Sequence, residues 1–88
     1  MVRLNKFILK SIKEVFEGYN IYLFGSRTKN TLGGDIDLFI DNNISLKDVI
    51  KLKVKLLKKI GDRKIDIVSK KYANEILKKE VYENGIKL

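Results

Sequence analysis

The sequence predicts an α/β (α+β) fold in which helices pack on a small mixed sheet, in the order α-β-β-α-β-α. Two observations predict this class. Apolar residues recur every three or four positions in three segments, which is the period of an amphipathic helix. Three shorter runs rich in Ile, Leu, Phe and Val, bounded by Gly, Asp or Asn, are typical of strands. The 88 residues form one predicted domain, 1–88, which is long enough for a single core.

The first half contains one helix and two strands. The helix is predicted over Val2–Glu17, with Gly18 placed to end it. The first strand spans Ile21–Phe24 and the second spans Asp35–Ile40, with a glycine-containing loop between them. Two strands joined by a loop are expected to pair antiparallel.

The second half contains a helix, a strand and another helix. The helix begins at a Ser45 cap and runs to Ile60, the strand spans Lys64–Ser69, and the last helix spans Lys71–Glu83. Because this strand is reached through a helix, it is expected to complete a mixed sheet. Gly85 ends the last helix, and residues 86–88 either dock on the domain or add a strand.

Composition excludes several classes of function. Cys and His are both absent, which excludes disulfides, Ser-His-Asp and Cys-His catalysis, and most zinc sites. Any metal must therefore be a hard ion bound by oxygen. No apolar run approaches the length of a membrane helix, and the N-terminus lacks the apolar centre of a signal peptide. We expect a cytoplasmic protein with no membrane partner.

The net charge of +8 has two interpretations. Lysine supplies most of the basic charge, Ile and Asn are frequent and Ala is rare, a bias that an AT-rich genome produces without selection for binding. The charge could instead attract nucleic acid, an acidic partner or a triphosphate. The compositional interpretation is favoured, and direct nucleic-acid binding stays open.

Three aspartates carry the candidate chemistry. Asp35 and Asp37 alternate with apolar residues, so they share one face of a strand. Asp66 lies between two isoleucines in the later strand, and the three carboxylates converge if the two strands are neighbours. Two like charges about 5 Å apart repel by roughly 3 kcal/mol at an effective dielectric of 20. A divalent cation such as Mg²⁺ removes this cost and shares carboxylate oxygens with phosphates.

A short turn precedes the first two aspartates. Gly25 allows close backbone approach to a ligand, and Ser26 offers a hydroxyl and an N–H group that suit a phosphate. The alternative is an ordinary turn at the end of a strand. Arg27 is either a bidentate phosphate ligand or a solvated surface residue. Asp62, in the turn before the later strand, is the rival of Asp66 as third carboxylate.

These residues carry a family resemblance. Gly25-Ser26, then Asp35-Ile-Asp37-Leu38, and a distal Asp66 resemble the nucleotidyltransferase superfamily that includes DNA polymerase beta. The small size and the ending, residues 83–88, resemble the minimal nucleotidyltransferases, the MNT domains of MntA-like antitoxins. Such antitoxins are often encoded beside a HEPN-domain toxin.

The resemblance implies a nucleotidyltransferase fold, with ATP as substrate and Mg²⁺, in two ions, as cofactor. It implies phosphate contacts and metal-binding, catalytic carboxylates at particular positions. The phosphate-binding residues are Gly25, Ser26 and Arg27, and the carboxylates are Asp35, Asp37 and Asp66.

The resemblance also implies a reaction and a partner. MNT antitoxins transfer AMP from ATP to a tyrosine of the cognate HEPN toxin, which makes this chain a candidate protein adenylyltransferase and antitoxin. One alternative is a non-catalytic antitoxin or binding module that neutralises its partner by forming a complex. Another is an RNA-binding domain whose affinity depends on its lysines.

Overall fold

The computed structural model describes residues 6–24 and 36–88, which contain three α-helices and four strands in the order α1-β1-β2-α2-β3-α3-β4. The bounds are Lys6–Val15 for α1, Ile21–Leu23 for β1, Ile36–Ile40 for β2, Leu46–Ile60 for α2, Ile65–Ser69 for β3, Glu75–Asn84 for α3 and Ile86–Lys87 for β4. A short 3-10 helix spans Lys70–Tyr72. The predicted mixed class and the order α-β-β-α-β-α are confirmed, and β4 is added at the end.

The four strands form one mixed sheet in the order β3-β2-β1-β4. β1 pairs antiparallel with both β2 and β4, whereas β2 pairs parallel with β3. A parallel pair needs a crossover connection, and α2 supplies it. The predicted antiparallel pair and helical crossover are therefore confirmed. Of the two possibilities for the tail, strand addition is the one found, and the N–H of Leu88 donates to the carbonyl of Ile21 at 2.9 Å.

The main hydrophobic core lies between one face of the sheet and the helices α1 and α2. Alternate residues of the strands point into it, as their period of two requires. Its strand members are Ile21, Leu23, Ile36, Leu38, Ile40 and Ile65, and its helix members are Ile8, Ile12, Val15, Val49 and Leu56, with Phe16 after α1. α1 contributes its residues at three- and four-residue spacing, which confirms its predicted amphipathic character.

The other face of the sheet is covered in part by α3. Phe39 and Val81 are both fully buried but lie outside the main core. The ring of Tyr82 packs edge-on against the ring of Phe39, with 5.9 Å between centroids. The face of β2 that points away from the main core, and that carries Asp37, is therefore covered only in part.

Two predicted helix ends agree with the structure. The Oγ of Ser45 accepts a hydrogen bond from the N–H of Asp48 at 3.2 Å, which fixes the start of α2. Gly18 has φ +92°, a conformation that favours glycine, in the turn that follows α1.

The predicted start of the last helix, Lys71, is wrong. Residues 70–72 form the 3-10 helix, and α3 begins only at Glu75. Its cap is Asn74, whose Oδ1 accepts a hydrogen bond from the N–H of Leu77 at 2.8 Å. Asn is a preferred capping residue because its side chain satisfies an N–H group that has no partner within the helix.

Gly85 ends α3, as predicted, and its position requires the absence of a side chain. A Cβ atom there would lie 2.6 Å from the carbonyl oxygen of Val81 and 3.3 Å from that of Leu23. The chain therefore passes from α3 into β4 in direct contact with the backbone of β1. None of the helices in residues 6–24 and 36–88 is long and apolar enough to cross a membrane.

Truncation of the core on α2 should destabilise the protein strongly. Leu56 is 0% exposed, so Leu56→Ala should lower the free energy of unfolding by about 2–5 kcal/mol through lost burial and a residual cavity. Urea unfolding followed by circular dichroism measures this change. Ile50→Ala on the same helix is the control, because Ile50 is 52% exposed and its truncation should change stability by only about 0.5 kcal/mol. Equal losses in the two variants would contradict the described packing.

Candidate active site

The parallel pairing of β2 with β3 brings Asp37 directly beside Asp66. The two residues are partners in the register, between the pairs Ile36–Ile65 and Leu38–Ile67. Neighbouring strands lie about 4.8 Å apart. Since Ile36 and Leu38 point into the main core, the alternation places both aspartates on the opposite face of the sheet. Asp37 is half-buried and Asp66 is exposed.

Asp37 is held on both sides by backbone pairing. β2 is an inner strand of the sheet, between β1 and β3. The N–H of Phe24 donates to the carbonyl of Asp37 at 3.0 Å, and the N–H of Ile36 donates to the carbonyl of Lys64 at 3.0 Å. The backbone hydrogen bonds thus continue past the ends of β1 and β3 at this end of the sheet. They fix the position from which the Asp37 carboxylate projects.

The remaining predicted site residues lie outside the described residues. These are the phosphate-binding candidates Gly25, Ser26 and Arg27, and the first carboxylate, Asp35. Phe24, beside Asp37, is the last described residue before Gly25 in the chain. Of the three predicted carboxylates, the structure therefore brings together Asp37 and Asp66.

The rival carboxylate Asp62 takes a different place. It lies exposed in the bend before β3, outside the strand that pairs with β2. Asp66 is the residue in register with Asp37. The alternation argument thus selects the aspartate that the sheet places beside Asp37.

The paired aspartates supply oxygen donors of the kind that hard divalent cations prefer. Within residues 6–24 and 36–88, no three acidic side chains come close enough together to hold a metal ion, and Asp35 is not among those residues. Because Asp66 is exposed, the two charges repel by only about 1 kcal/mol at a distance of about 5 Å in a dielectric close to that of water. This is a small cost, which a cation between the carboxylates would turn into attraction.

An aromatic cluster lies on the same face of the sheet as the two aspartates, and its member Phe39 is two residues from Asp37 along β2. Tyr22, Phe39 and Tyr82 contact one another edge to face, with 5.9–6.3 Å between ring centroids. Tyr22 therefore packs on this face of the sheet. Sequence reasoning did not single out Tyr82, because its contacts depend on where α3 crosses the sheet.

Asp41, at the far end of β2, has a structural partner. The hydroxyl of Tyr82 donates a hydrogen bond to its Oδ1 at 2.7 Å, and the Nζ of Lys70 lies 3.9 Å from the same atom. The hydrogen bond to Asp41, together with partial burial and the nearby negative charge, raises the pKa of Tyr82 from 10.0 to about 12. These contacts give Asp41 a structural role at the end of β2.

The four-stranded mixed sheet with helices packed on it agrees with the nucleotidyltransferase fold expected from the sequence. The family described as Polymerase beta, Nucleotidyltransferase matches residues 10–88. The match covers most of the chain, and the chain belongs to this family. The predicted nucleotidyltransferase fold is thereby confirmed.

One solved structure places the chain more narrowly. This chain is similar to a chain in a crystal structure of a mutant of the toxin–antitoxin MntA–HpeT, with a TM-score of 0.71 and 28% sequence identity. The similarity covers 98% of this chain and 72% of that one. This structural similarity and the family match together confirm the resemblance to minimal nucleotidyltransferases. No curated protein sequence matches the chain.

The Tyr82–Asp41 hydrogen bond should be visible in a titration. Because the folded pKa of Tyr82 is raised above that of a free tyrosine, the stability that the bond contributes is present below pH 10 and is lost as the pH rises towards 12. The difference in absorbance at 295 nm between the wild type and Tyr82→Phe should titrate near pH 12. When both proteins also carry Asp41→Asn, this difference in absorbance should titrate at lower pH. A wild-type midpoint near 10 would show that the bond does not form.

Proposed function

We propose that this protein is a Mg²⁺-dependent nucleotidyltransferase that transfers AMP from ATP to a tyrosine of a partner HEPN toxin, and so acts as an antitoxin. The observation that carries the proposal is the register of Asp37 with Asp66 on one face of the sheet, in a chain of this family. Similarity to a toxin–antitoxin structure supports a protein as the acceptor.

Each predicted site residue has a role in this proposal. Asp35, Asp37 and Asp66 would hold Mg²⁺, and Gly25, Ser26 and Arg27 would bind the triphosphate of ATP. When bound, Mg²⁺ supplies positive charge that stabilises the entering and leaving oxygens of an in-line displacement. The inner position of β2 favours Asp37 as the fixed ligand, because backbone pairing on both sides limits its movement.

The reaction is a substitution at the α-phosphorus of ATP. The tyrosine hydroxyl oxygen forms a bond to that phosphorus, and the bond from the phosphorus to the oxygen bridging to the β-phosphate breaks. Pyrophosphate leaves with the electron pair, and the hydroxyl proton passes to a carboxylate or to water. Asp66 either completes the second metal site or accepts this proton, and its exposed position would let the tyrosine of another protein approach it.

A non-catalytic antitoxin is the second candidate. Similarity to a toxin–antitoxin structure also suits a chain that neutralises its partner simply by covering it. The two functions differ in what the aspartates do. A binder retains neutralisation when the carboxylates are replaced by amides, whereas an enzyme loses it.

Mg²⁺ should stabilise the folded protein through Asp66. A ligand that binds only the folded state at 100 times its Kd stabilises it by about 2.7 kcal/mol, which in a domain of this size raises Tm by several degrees. Thermal unfolding with and without Mg²⁺ measures the shift. We expect it in the wild type and in Asp62→Asn, and we expect it to be lost in Asp66→Asn. A shift that survives Asp66→Asn but not Asp62→Asn would assign the site to the turn.

Adenylyl transfer should depend on the paired aspartates. The purified chain is mixed with ATP, Mg²⁺ and the protein encoded by the neighbouring gene, and intact mass reports any added AMP. We expect an adduct with the wild type and with Asp62→Asn, and at least a hundredfold slower addition with Asp37→Asn combined with Asp66→Asn, because positioned charge of this kind contributes about 10²–10³ in rate. Asp35→Asn with Asp37→Asn should behave in the same way.

Two other outcomes separate the candidates. A stable complex that forms with both the wild type and the aspartate variants, without any adduct, would favour the binding antitoxin. An adduct that forms equally well with all variants would remove the assigned carboxylates from the reaction. Circular dichroism of each variant confirms that it is folded.

A further inference from the structure

α2 has a wider apolar surface than the sheet covers. Leu46, Ile50 and Val54 follow one another at four-residue spacing, so they form a row along one side of the helix. They remain 58%, 52% and 46% exposed, respectively. The buried side of α2 is formed by other residues, among them Val49 and Leu56. The row is therefore apolar surface that the core of this chain does not use.

Tyr72 extends this row beyond the start of α2. Its hydroxyl accepts a hydrogen bond from the N–H of Leu46 at 3.3 Å, and its side chain is 55% exposed. Leu46, Ile50, Val54 and Tyr72 together are called the α2 stripe. Isolated exposed apolar residues are normal on a protein surface, whereas contiguous apolar patches are typical of interaction sites.

Positive charge borders the stripe. Lys47, Lys51 and Lys55 each follow a stripe residue in sequence, so they line its flank along the helix. Near Tyr72, the Nζ of Lys71 lies 5.8 Å from the centre of the ring. Asp48 is the single acidic residue of α2, which also contains six lysines. A surface complementary to the stripe is thus apolar at its centre and acidic at its border.

This charge pattern selects among the possible occupants. A second copy of the chain would bring the same lysines and the same net charge of +8 against the stripe, and like charges facing each other are unfavourable. An acidic protein surface satisfies both the apolar centre and the lysine border, and an interface with an apolar core and a polar rim is the usual arrangement.

We propose that the α2 stripe is the docking surface for a protein partner whose own contact surface is apolar with an acidic border. The inference rests on the proposed function in one respect, since it takes the adenylylated or neutralised protein to be this partner. α2 packs on the face of the sheet opposite Asp37 and Asp66. A partner docked on the stripe thus leaves the two carboxylates uncovered, and its acceptor tyrosine has to reach them around β3, the edge strand that carries Asp66.

The test measures complex formation without nucleotide, using the protein encoded by the neighbouring gene as the probe. Ile50→Glu and Val54→Glu place negative charge within the stripe and should each raise Kd at least tenfold, because they disrupt the apolar centre and repel the acidic border. Ile86→Glu is the matched control, because Ile86 is 43% exposed on β4, at the edge of the sheet opposite β3. The Kd of this variant should stay within twofold of the wild-type value.

A second pair of variants tests the border. Lys51→Glu should weaken binding and reduce its dependence on salt, whereas Lys87→Glu on β4 should do neither. Circular dichroism and thermal unfolding establish that all five variants are folded.

Several results would overturn the proposal. These are equal affinity in the stripe and control variants, no complex with the wild-type chain, stripe-dependent self-association in sedimentation, and stripe-dependent binding to vesicles containing anionic lipid. The outcome is independent of the transfer assay. Stripe-dependent binding without an AMP adduct would support the docking surface and contradict the proposed enzymatic function. An AMP adduct together with unchanged affinity in the stripe variants would support the enzymatic function and contradict the docking surface.

Discussion

The register of the parallel pair β2–β3 is the constraint on which the candidate site depends. It sets Asp37 beside Asp66 while Ile36, Leu38 and Ile65 point into the core. A slip of one residue would exchange the two faces of β3, bury Asp66 and expose an isoleucine next to Asp37. Burial of the isoleucines and alignment of the carboxylates are therefore one condition. The hydrophobic core that stabilises the domain also positions the groups proposed to bind metal.

Much of the fold could be predicted because its signals are local. Alternation along β2 and β3 gave the shared face of Asp37 and Asp66, and the Ser45 cap gave the start of α2. The predicted start of α3 was wrong because Tyr72 and Ile76 have helical spacing. Both are exposed, however, and neither belongs to a buried helix face. A pattern of apolar residues reports that a face exists, whereas its burial depends on what packs against it.

The rest of the site could not be derived from pattern alone. The contact between Tyr82 and Asp41 joins residues far apart in the chain and follows from the path of α3 over the sheet. β4 is too short to have a signature of its own and is defined by its pairing with β1. The exposed row on α2 could not be predicted, since sequence does not show how much of an apolar helix face the sheet covers. Gly25, Ser26, Arg27 and Asp35 stay predictions, outside the described residues.

The pairing of β4 with β1 has a consequence for how the chain folds during synthesis. β1 is made early and β4 is among the last described elements, yet Tyr22 pairs with Lys87. The outer backbone of β1 therefore lacks its partner strand until almost all of the described chain has left the ribosome. An open strand edge invites pairing with other chains, and a contact between distant segments slows folding. Before residues 86–87 emerge, the nascent chain thus presents an edge of β1 at which another chain can pair.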